Sequence, residues 1–380
     1  MTAALYDVVV VGLGTHGSAT AAELARRGAR VLGLERFPRG HEMGSFVGRT
    51  RVTRTAYIEH PDYVPLLRRA WDRWLALERE TGEDVLFPTG GLYVGAPGSA
   101  TVEGALRSAR EHGLAHQVLD EAELGRRHSW LRADGMVGVY EERAGYLVPE
   151  RAIEAHLAVA ERHGAELRFE EPADGWSPER DGSVVNVHTA RGTSVRARSL
   201  VLTAGAWLPS FLPDLALPLA VERVPLFWYE PGDPAPFRDI PVYIVETEHG
   251  SFYGFRYLDG QGLKIARIST GEAAVADRLE RELRAGDDAP VREFVRRHVP
   301  GAAGPLRDWK VCMYTKTPDQ HFIVDRHPSY PGVVFASACS GHGFKFATVM
   351  GEILADLALA GSTPLPVGFL SLVRLRGAAG

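Results

Sequence analysis

Near the start of the chain, Gly12-Leu13-Gly14-Thr15-His16-Gly17 spells G-x-G-x-x-G. Gly12 would permit a tight turn, Gly14 would let the main chain approach a pyrophosphate, and Gly17 would let a following helix lie close on the preceding strand. Thr15 and His16 open that helix, which makes His16 a helix-start residue rather than a metal ligand. Glu35 stands 23 positions after Gly12, at the end of the next apolar run, where a carboxylate can accept hydrogen bonds from ribose hydroxyls. Glycines and acid together predict a dinucleotide site, and by themselves do not choose between NAD and FAD. Metal chemistry has no comparable signal, because the 14 histidines show no ligand-spaced cluster such as H-E-x-x-H.

These residues need a β-α-β frame, and the sequence supplies one. Tyr6 to Val11 is a β-branched run typical of a parallel strand buried on both faces, and residues 15–28 read as a helix with small residues Ala19, Ala21 and Ala22 on its packing face. Residues 61–81 form an amphipathic helix, short strands fall within 85–99 and 136–149, and residues 150–164 return to helix. After a polar turn at Asp181-Gly182 the strand pattern recurs and ends at Thr203-Ala204-Gly205-Ala206. Residues 220–270 alternate and are rich in aromatics, as in an antiparallel sheet; helices are expected over 272–285 and 290–298, and a strand, glycine turn and long helix close the chain. The predicted class is α/β: a Rossmann-like FAD-binding domain of the glutathione reductase or D-amino acid oxidase type, with an inserted, mainly antiparallel substrate domain. Residues 1–84, 150–218 and 318–380 are expected to form the first, and 85–149 with 219–317 the second.

Composition narrows the function. The chain has 380 residues, 45% hydrophobic and 24% charged, which excludes disorder. Its 43 basic and 48 acidic residues are interspersed, giving a net charge of −5 and no basic face for nucleic acid. The apolar run Val8 to Val11 meets glycines long before membrane-spanning length, and with only Cys312 and Cys339 no disulfide framework is available, so a reducing, cytoplasmic setting is expected. No second G-x-G-x-x-G is present for a nicotinamide, and Thr203-Ala204-Gly205-Ala206 resembles a second contact segment of FAD-dependent oxidoreductases. Both favour FAD, and a flavin without a nicotinamide site favours dioxygen as acceptor.

Three stretches make a resemblance specific: Lys310-Val311-Cys312-Met313-Tyr314-Thr315-Lys316-Thr317-Pro318-Asp319, Ser340-Gly341-His342-Gly343-Phe344-Lys345-Phe346, and Gly48-Arg49-Thr50-Arg51-Val52-Thr53-Arg54-Thr55-Ala56-Tyr57. Together with His321-Phe322-Ile323-Val324-Asp325 they resemble the monomeric sarcosine oxidase and N-methyltryptophan oxidase family, collinearly from the glycine motif to about residue 362. The resemblance implies a monomeric FAD enzyme that oxidises the C–N bond of a secondary amino acid and passes the electrons to O2, giving peroxide and an imine. It implies a flavin bonded through Cys312, oxygen activation by Lys264, and a substrate carboxylate held by Arg54 and Lys345. It further implies Arg51 beside the flavin and Tyr253 and Tyr314 lining the substrate pocket. Arg36, Gly44, Ser45, Thr50, Gly205, Met313, Gly341, Gly343 and Phe344 complete the cofactor set implied by the same likeness.

The chain also departs from the family. Ile268 stands where a histidine is common, and Phe46-Val47 occupies the place of a histidine near the flavin edge. Arg256 and Tyr257 are expected at the pocket mouth, where they would recognise a larger or acidic group. Rival readings are an oxidase of cyclic or bulkier N-substituted amino acids, a dehydrogenase using another acceptor, and a flavoprotein without catalysis.

Overall fold

In the computed structural model, which describes residues 5–180 and 182–376, Leu5–Val11 forms the expected strand with parallel neighbours on both sides. Asp181, of the expected turn, lies outside the described residues. Val8 and Val10 enter one core cluster, and Val9 and Val11 another, so the unbroken β-branched run buries both of its faces. Each valine so buried contributes about 1.5–3 kcal/mol relative to exposure.

Thr15–Arg26 is the crossover helix, and Gly28, at φ 79°, ends it. Its alanine face packs on the helices Pro149–Arg162 and Ala347–Ala360. The approach is so close that a Cβ on Gly351 would lie 2.7 Å from the Ala19 carbonyl. Around this helix the sheet runs, in spatial order, Ala173–Pro178, Val185–Thr189, Ser194–Leu202, Leu5–Val11, Val31–Leu34 and Glu166–Arg168. Val333–Ser337 adds a further parallel partner to Ser194–Leu202. Three distant parts of the sequence therefore build one parallel core.

The second sheet is antiparallel apart from the pairing of Gly91–Gly95 with Val242–Thr247. Its long strands Ala220–Tyr229 and Leu306–Lys316 pair Val224 with Cys312 and Glu222 with Tyr314, while Trp228 faces Lys264 on the other neighbour. A small third sheet joins Arg51–Thr53, Gly145–Leu147 and Leu86–Pro88. The amphipathic pattern over 61–81 becomes a short 3-10 turn followed by the helix Val64–Thr81, which Gly82 caps at φ 74°. Ala289–His298 matches the helix expected over 290–298.

The helix expected over 272–285 does not form. That segment contains the two-residue strand Ala273–Ala274 and the 3-10 turn Ala276–Arg278. Arg223, only 1% exposed, explains it: its guanidinium donates to the Glu280 and Glu282 carbonyls and to the Asp287 and Glu272 carboxylates. A buried arginine that needs backbone carbonyls takes them from the very residues whose carbonyls a helix would use. Among the described residues no helix is long and apolar enough to cross a membrane.

Candidate functional site

A cavity of about 470 Å3 runs from the glycine turn to the antiparallel sheet. At one end lie Gly12, Gly14, Thr15, His16, Glu35, Arg36 and Gly205; at the other Arg54, Tyr253, Tyr314 and Lys345. Between them are Gly44, Ser45, Arg51, Gly341, Gly343 and Phe344. Gly17, Thr50, Lys264, Cys312 and Met313 stand behind this lining. Met313 projects from the sheet face opposite that shared by Cys312 and Tyr314, because neighbours along a strand alternate.

The glycine end is built to admit a dinucleotide. Gly12 sits at φ 89° and a Cβ there would fall 2.7 Å from the Thr203 carbonyl oxygen, while a Cβ on Gly17 would fall 1.7 Å from the Gly12 oxygen. A Cβ on Gly14 would meet nothing nearer than the Phe46 ring at 3.4 Å, so its backbone stays open to the cavity. The first turn of Thr15–Arg26 holds no acidic residue and no side chain caps it, leaving its positive end free for a phosphate. Glu35, buried, accepts from the Leu13 N–H at 2.9 Å and the Phe37 N–H at 3.0 Å. Burial raises its pKa, but the His41 ring and those N–H groups outweigh burial and hold the carboxyl below its ordinary range. It is therefore an anion with spare acceptor capacity for hydroxyls. His16 Nε2 lies 2.8 Å from the Ala338 carbonyl, and its Nδ1 is buried without a partner. Burial lowers its pKa to about 4, so the ring is neutral, with Nε2 donating to the Ala338 carbonyl. An adenine dinucleotide, with phosphates for the helix end and ribose hydroxyls for Glu35, fits this donor and acceptor set.

In the middle, the Arg51 guanidinium donates to the Thr50 and Ser45 carbonyls and lies 3.5 Å from the Cys312 sulfur. Cys312 is fully buried, in one cluster with Val47, Tyr253 and Tyr314; burial pushes its thiol pKa up while Arg51 pulls the other way. Phe46 places its ring against the glycine loop and packs edge-on to His41. Lys264 Nζ donates to the Gly48 carbonyl at 2.6 Å and the Thr50 carbonyl at 2.9 Å, with the Thr50 hydroxyl at 3.3 Å. Burial, and then Arg51, push its pKa well below the ordinary lysine value.

Two cations close the far end. Arg54, 3% exposed, donates from Nη2 to both oxygens of the Glu59 carboxylate, at 2.6 and 2.7 Å, and lies over the Tyr57 ring at 4.3 Å. Lys345 donates to the His342 carbonyl at 2.6 Å, and burial together with Arg54 lowers its pKa to about 7. The helix Val64–Thr81 secures it, because the fully buried Trp74 donates its indole N–H to the Lys345 carbonyl at 2.9 Å. Ile244 and Ile268 supply apolar wall beside the two tyrosines.

Arg256 and Tyr257 do not reach this cavity. Arg256 pairs with exposed Asp239, and Tyr257 donates to Glu230, because both follow the Gly250–Gly254 strand as it leaves the pocket for the outer edge. Glu59, Ile244 and Gln320 line the cavity without having been singled out from sequence. Glu59 carried one signal, an acid five positions after Arg54 in a loop otherwise rich in bases.

The family described as FAD dependent oxidoreductase matches residues 7–357. Monomeric sarcosine oxidase of Streptomyces avermitilis is 44% identical, with 98% of each chain covered, and that of Bacillus sp. is 38% identical over 97% of each. N-methyl-L-tryptophan oxidase of Yersinia pestis is 32% identical over 98% of this chain and all of the relative. Among solved structures, NikD, an unusual amino acid oxidase essential for nikkomycin biosynthesis, superposes with a TM-score of 0.84 at 23% identity over 97% of both chains. L-proline dehydrogenase from P. horikoshii gives a TM-score of 0.85 at 20% identity over 98% of both chains, so this fold by itself does not choose the electron acceptor. The match over nearly the whole chain, on top of the glycine cradle and its acid, places the protein in the FAD-dependent oxidoreductase family, among the monomeric sarcosine oxidases and N-methyl-L-tryptophan oxidases.

Proposed function

We propose that this chain is an FAD-dependent oxidase of secondary amino acids with an apolar body, acting on N-methyl or cyclic members of that class. The observation that carries this is the buried pair Arg54 and Lys345 at one end of a cavity whose other end is the dinucleotide cradle. A planar guanidinium with an ammonium beside it recognises a carboxylate, and docking that group would fix the amine carbon against the middle of the cavity. Glu59 occupies Arg54 now, so a substrate carboxylate must displace it or share the guanidinium. When bound, FAD supplies the acceptor for two electrons and a proton leaving the amine carbon as a hydride equivalent. The resulting imine takes up water to give an aldehyde and an amine, and O2 takes the two electrons with two protons to give H2O2. Arg51 provides fixed positive charge, and Lys264 is assigned to oxygen activation from just behind the lining. Cys312 is assigned to covalent attachment, with Arg51 favouring its thiolate. The expected two-domain division, with residues 85–149 and 219–317 as the substrate domain, belongs to the same reading. So do a monomeric state and a reducing, cytoplasmic setting suited to two free thiols.

Ile244 and Ile268 favour a substrate larger than sarcosine, since neither can hydrogen-bond and both add apolar area next to the tyrosine rings. The test is one preparation with two readouts. Acid precipitation is expected to carry the yellow colour into the pellet, and a panel of N-methyl and cyclic amino acids is expected to yield peroxide, fastest from apolar members bulkier than sarcosine. Flavin that is reduced without peroxide would instead favour the dehydrogenase reading. A colourless protein would overturn the proposal.

Lys345 makes docking sensitive to pH. With its pKa at about 7 it is charged below that value and neutral above it, so an amine-free carboxylate such as propionate should inhibit less as pH rises. Losing one charge-assisted hydrogen bond predicts a Ki about tenfold higher at about pH 9 than at about pH 6. A Lys345→Met enzyme should show the weaker Ki at both, and a wild-type Ki constant across that range would remove Lys345 from the docking pair.

A further inference from the structure

Glu141 ends the strand Val137–Glu141 and is 1% exposed. Its carboxylate receives the Thr55 N–H at 3.1 Å, the Ala56 N–H at 2.9 Å, the Thr55 hydroxyl at 2.5 Å and the Tyr93 hydroxyl at 2.5 Å. All four donors are neutral. Keeping an anion buried without a cation bonded to it is costly, and burial raises its pKa accordingly, with the hydrogen bonds opposing. A carboxylate is nevertheless the one side chain whose two oxygens can accept from all four donors at once.

Two of those donors are consecutive backbone N–H groups directly after Arg54, in the irregular segment that follows Arg51–Thr53. Capturing both fixes the chain path from Arg54 to Tyr57. That path puts the Arg54 guanidinium over the Tyr57 ring and within 3.4 Å of the Ala56 carbonyl. It also puts the Tyr57 hydroxyl 2.5 Å from His342 Nδ1, and the His342 carbonyl is the acceptor for Lys345. Arg54 thus hangs directly from the segment Glu141 holds, and Lys345 touches that segment only through the contact between Tyr57 and His342; Glu141 itself belongs to the antiparallel sheet, paired with Gly91.

We propose that Glu141 is a positioning residue for carboxylate recognition, clamping residues 55 and 56 so that Arg54 presents its guanidinium to the substrate. The inference rests on the reading of Arg54 as a docking cation. Its test compares propionate with propionamide as inhibitors of the holoenzyme, since only the first has the charge that Arg54 reads. Glu141→Gln has nearly the same shape but accepts with one oxygen and turns an NH2 group toward N–H donors. It should raise Ki for propionate about tenfold while leaving propionamide and flavin content unchanged, the size of one misaligned charge-assisted pair. Thr55→Val removes a single donor without touching the carboxylate, keeps the fold if Glu141→Gln does not, and should shift the same ratio in the same direction by less. Arg54→Met, which removes the charge, is the control. An unchanged ratio in both Glu141→Gln and Thr55→Val, beside a collapsed ratio in Arg54→Met, overturns the positioning role alone. Equal weakening of both inhibitors by the Glu141 and Thr55 variants makes Glu141 a general scaffold residue and also overturns it. An unchanged ratio in Arg54→Met overturns the docking reading and the positioning role with it.

Discussion

A Gly17→Ala chain is expected to come off purification colourless, with flavin affinity reduced by more than about a hundredfold, roughly 3 kcal/mol at the upper end of overpacking costs. The added Cβ would sit 1.7 Å from the Gly12 oxygen and 2.6 Å from the Thr203 hydroxyl. The nearest obstacle is backbone, so no rotamer change relieves it, and the helix must withdraw from the strand. Withdrawal moves the positive helix end away from the phosphate position and breaks the contact between Thr203 Oγ1 and the Gly12 carbonyl, now 2.8 Å. Gly28→Ala is the contrast: at φ 79° it strains the backbone by about 1–2 kcal/mol, yet its Cβ meets nothing within 4 Å, so it should lower Tm and keep its flavin. The ratio of visible to protein absorbance separates the two variants. Full flavin occupancy in Gly17→Ala would mean that this turn is not the dinucleotide cradle.

How much of this was legible beforehand depended on the range of the interactions involved. The glycine turn, its acid, the alanine face of the first helix and the amphipathic 64–81 helix are local patterns, and the structure contains each of them. Residues 272–285 have helical composition, but a single arginine some fifty positions earlier takes their carbonyls, and no window of sequence reports that. Glu141 and Thr55 lie 86 positions apart, so the clamp exists only once the antiparallel sheet has brought them together. Arg256 misled for the converse reason: strand position was legible, but whether the chain beyond the strand turns into the pocket or out to Asp239 was not. Spacing can nominate a residue type for chemistry, whereas burial and the direction of its side chain decide whether it reaches the cavity.

Lys264→Met is expected to slow reoxidation by O2 about 10²–10³-fold while changing flavin reduction by substrate only a few-fold, the size of effect seen when one preorganised charge is removed from a dry site. Buried Lys264 sits over the Trp228 and Phe255 rings at 5.2 and 5.0 Å, in surroundings that barely screen its charge. It is also a tether, because its bonds to the Gly48 and Thr50 carbonyls hold the segment that leads into Arg51. The two roles predict different kinetics: loss of a tether would disturb Arg51 and slow both half-reactions together, whereas loss of the charge slows the oxidative one alone. Rapid mixing of reduced enzyme with O2, set against anaerobic reduction by substrate, distinguishes them. The surroundings of Nζ suit either protonation state, since the two carbonyls can only accept, while the Thr50 hydroxyl at 3.3 Å can accept from an ammonium or donate to a neutral amine. Burial has lowered the pKa, so the charged form survives only below that depressed value, and its help to reoxidation should fade as pH rises through it. The wild-type reoxidation rate should therefore fall with increasing pH, and the methionine variant should be flat. A variant that reoxidises at the wild-type rate would leave Lys264 as a tether only, and would move the search for the electron acceptor from O2 to a quinone or a protein.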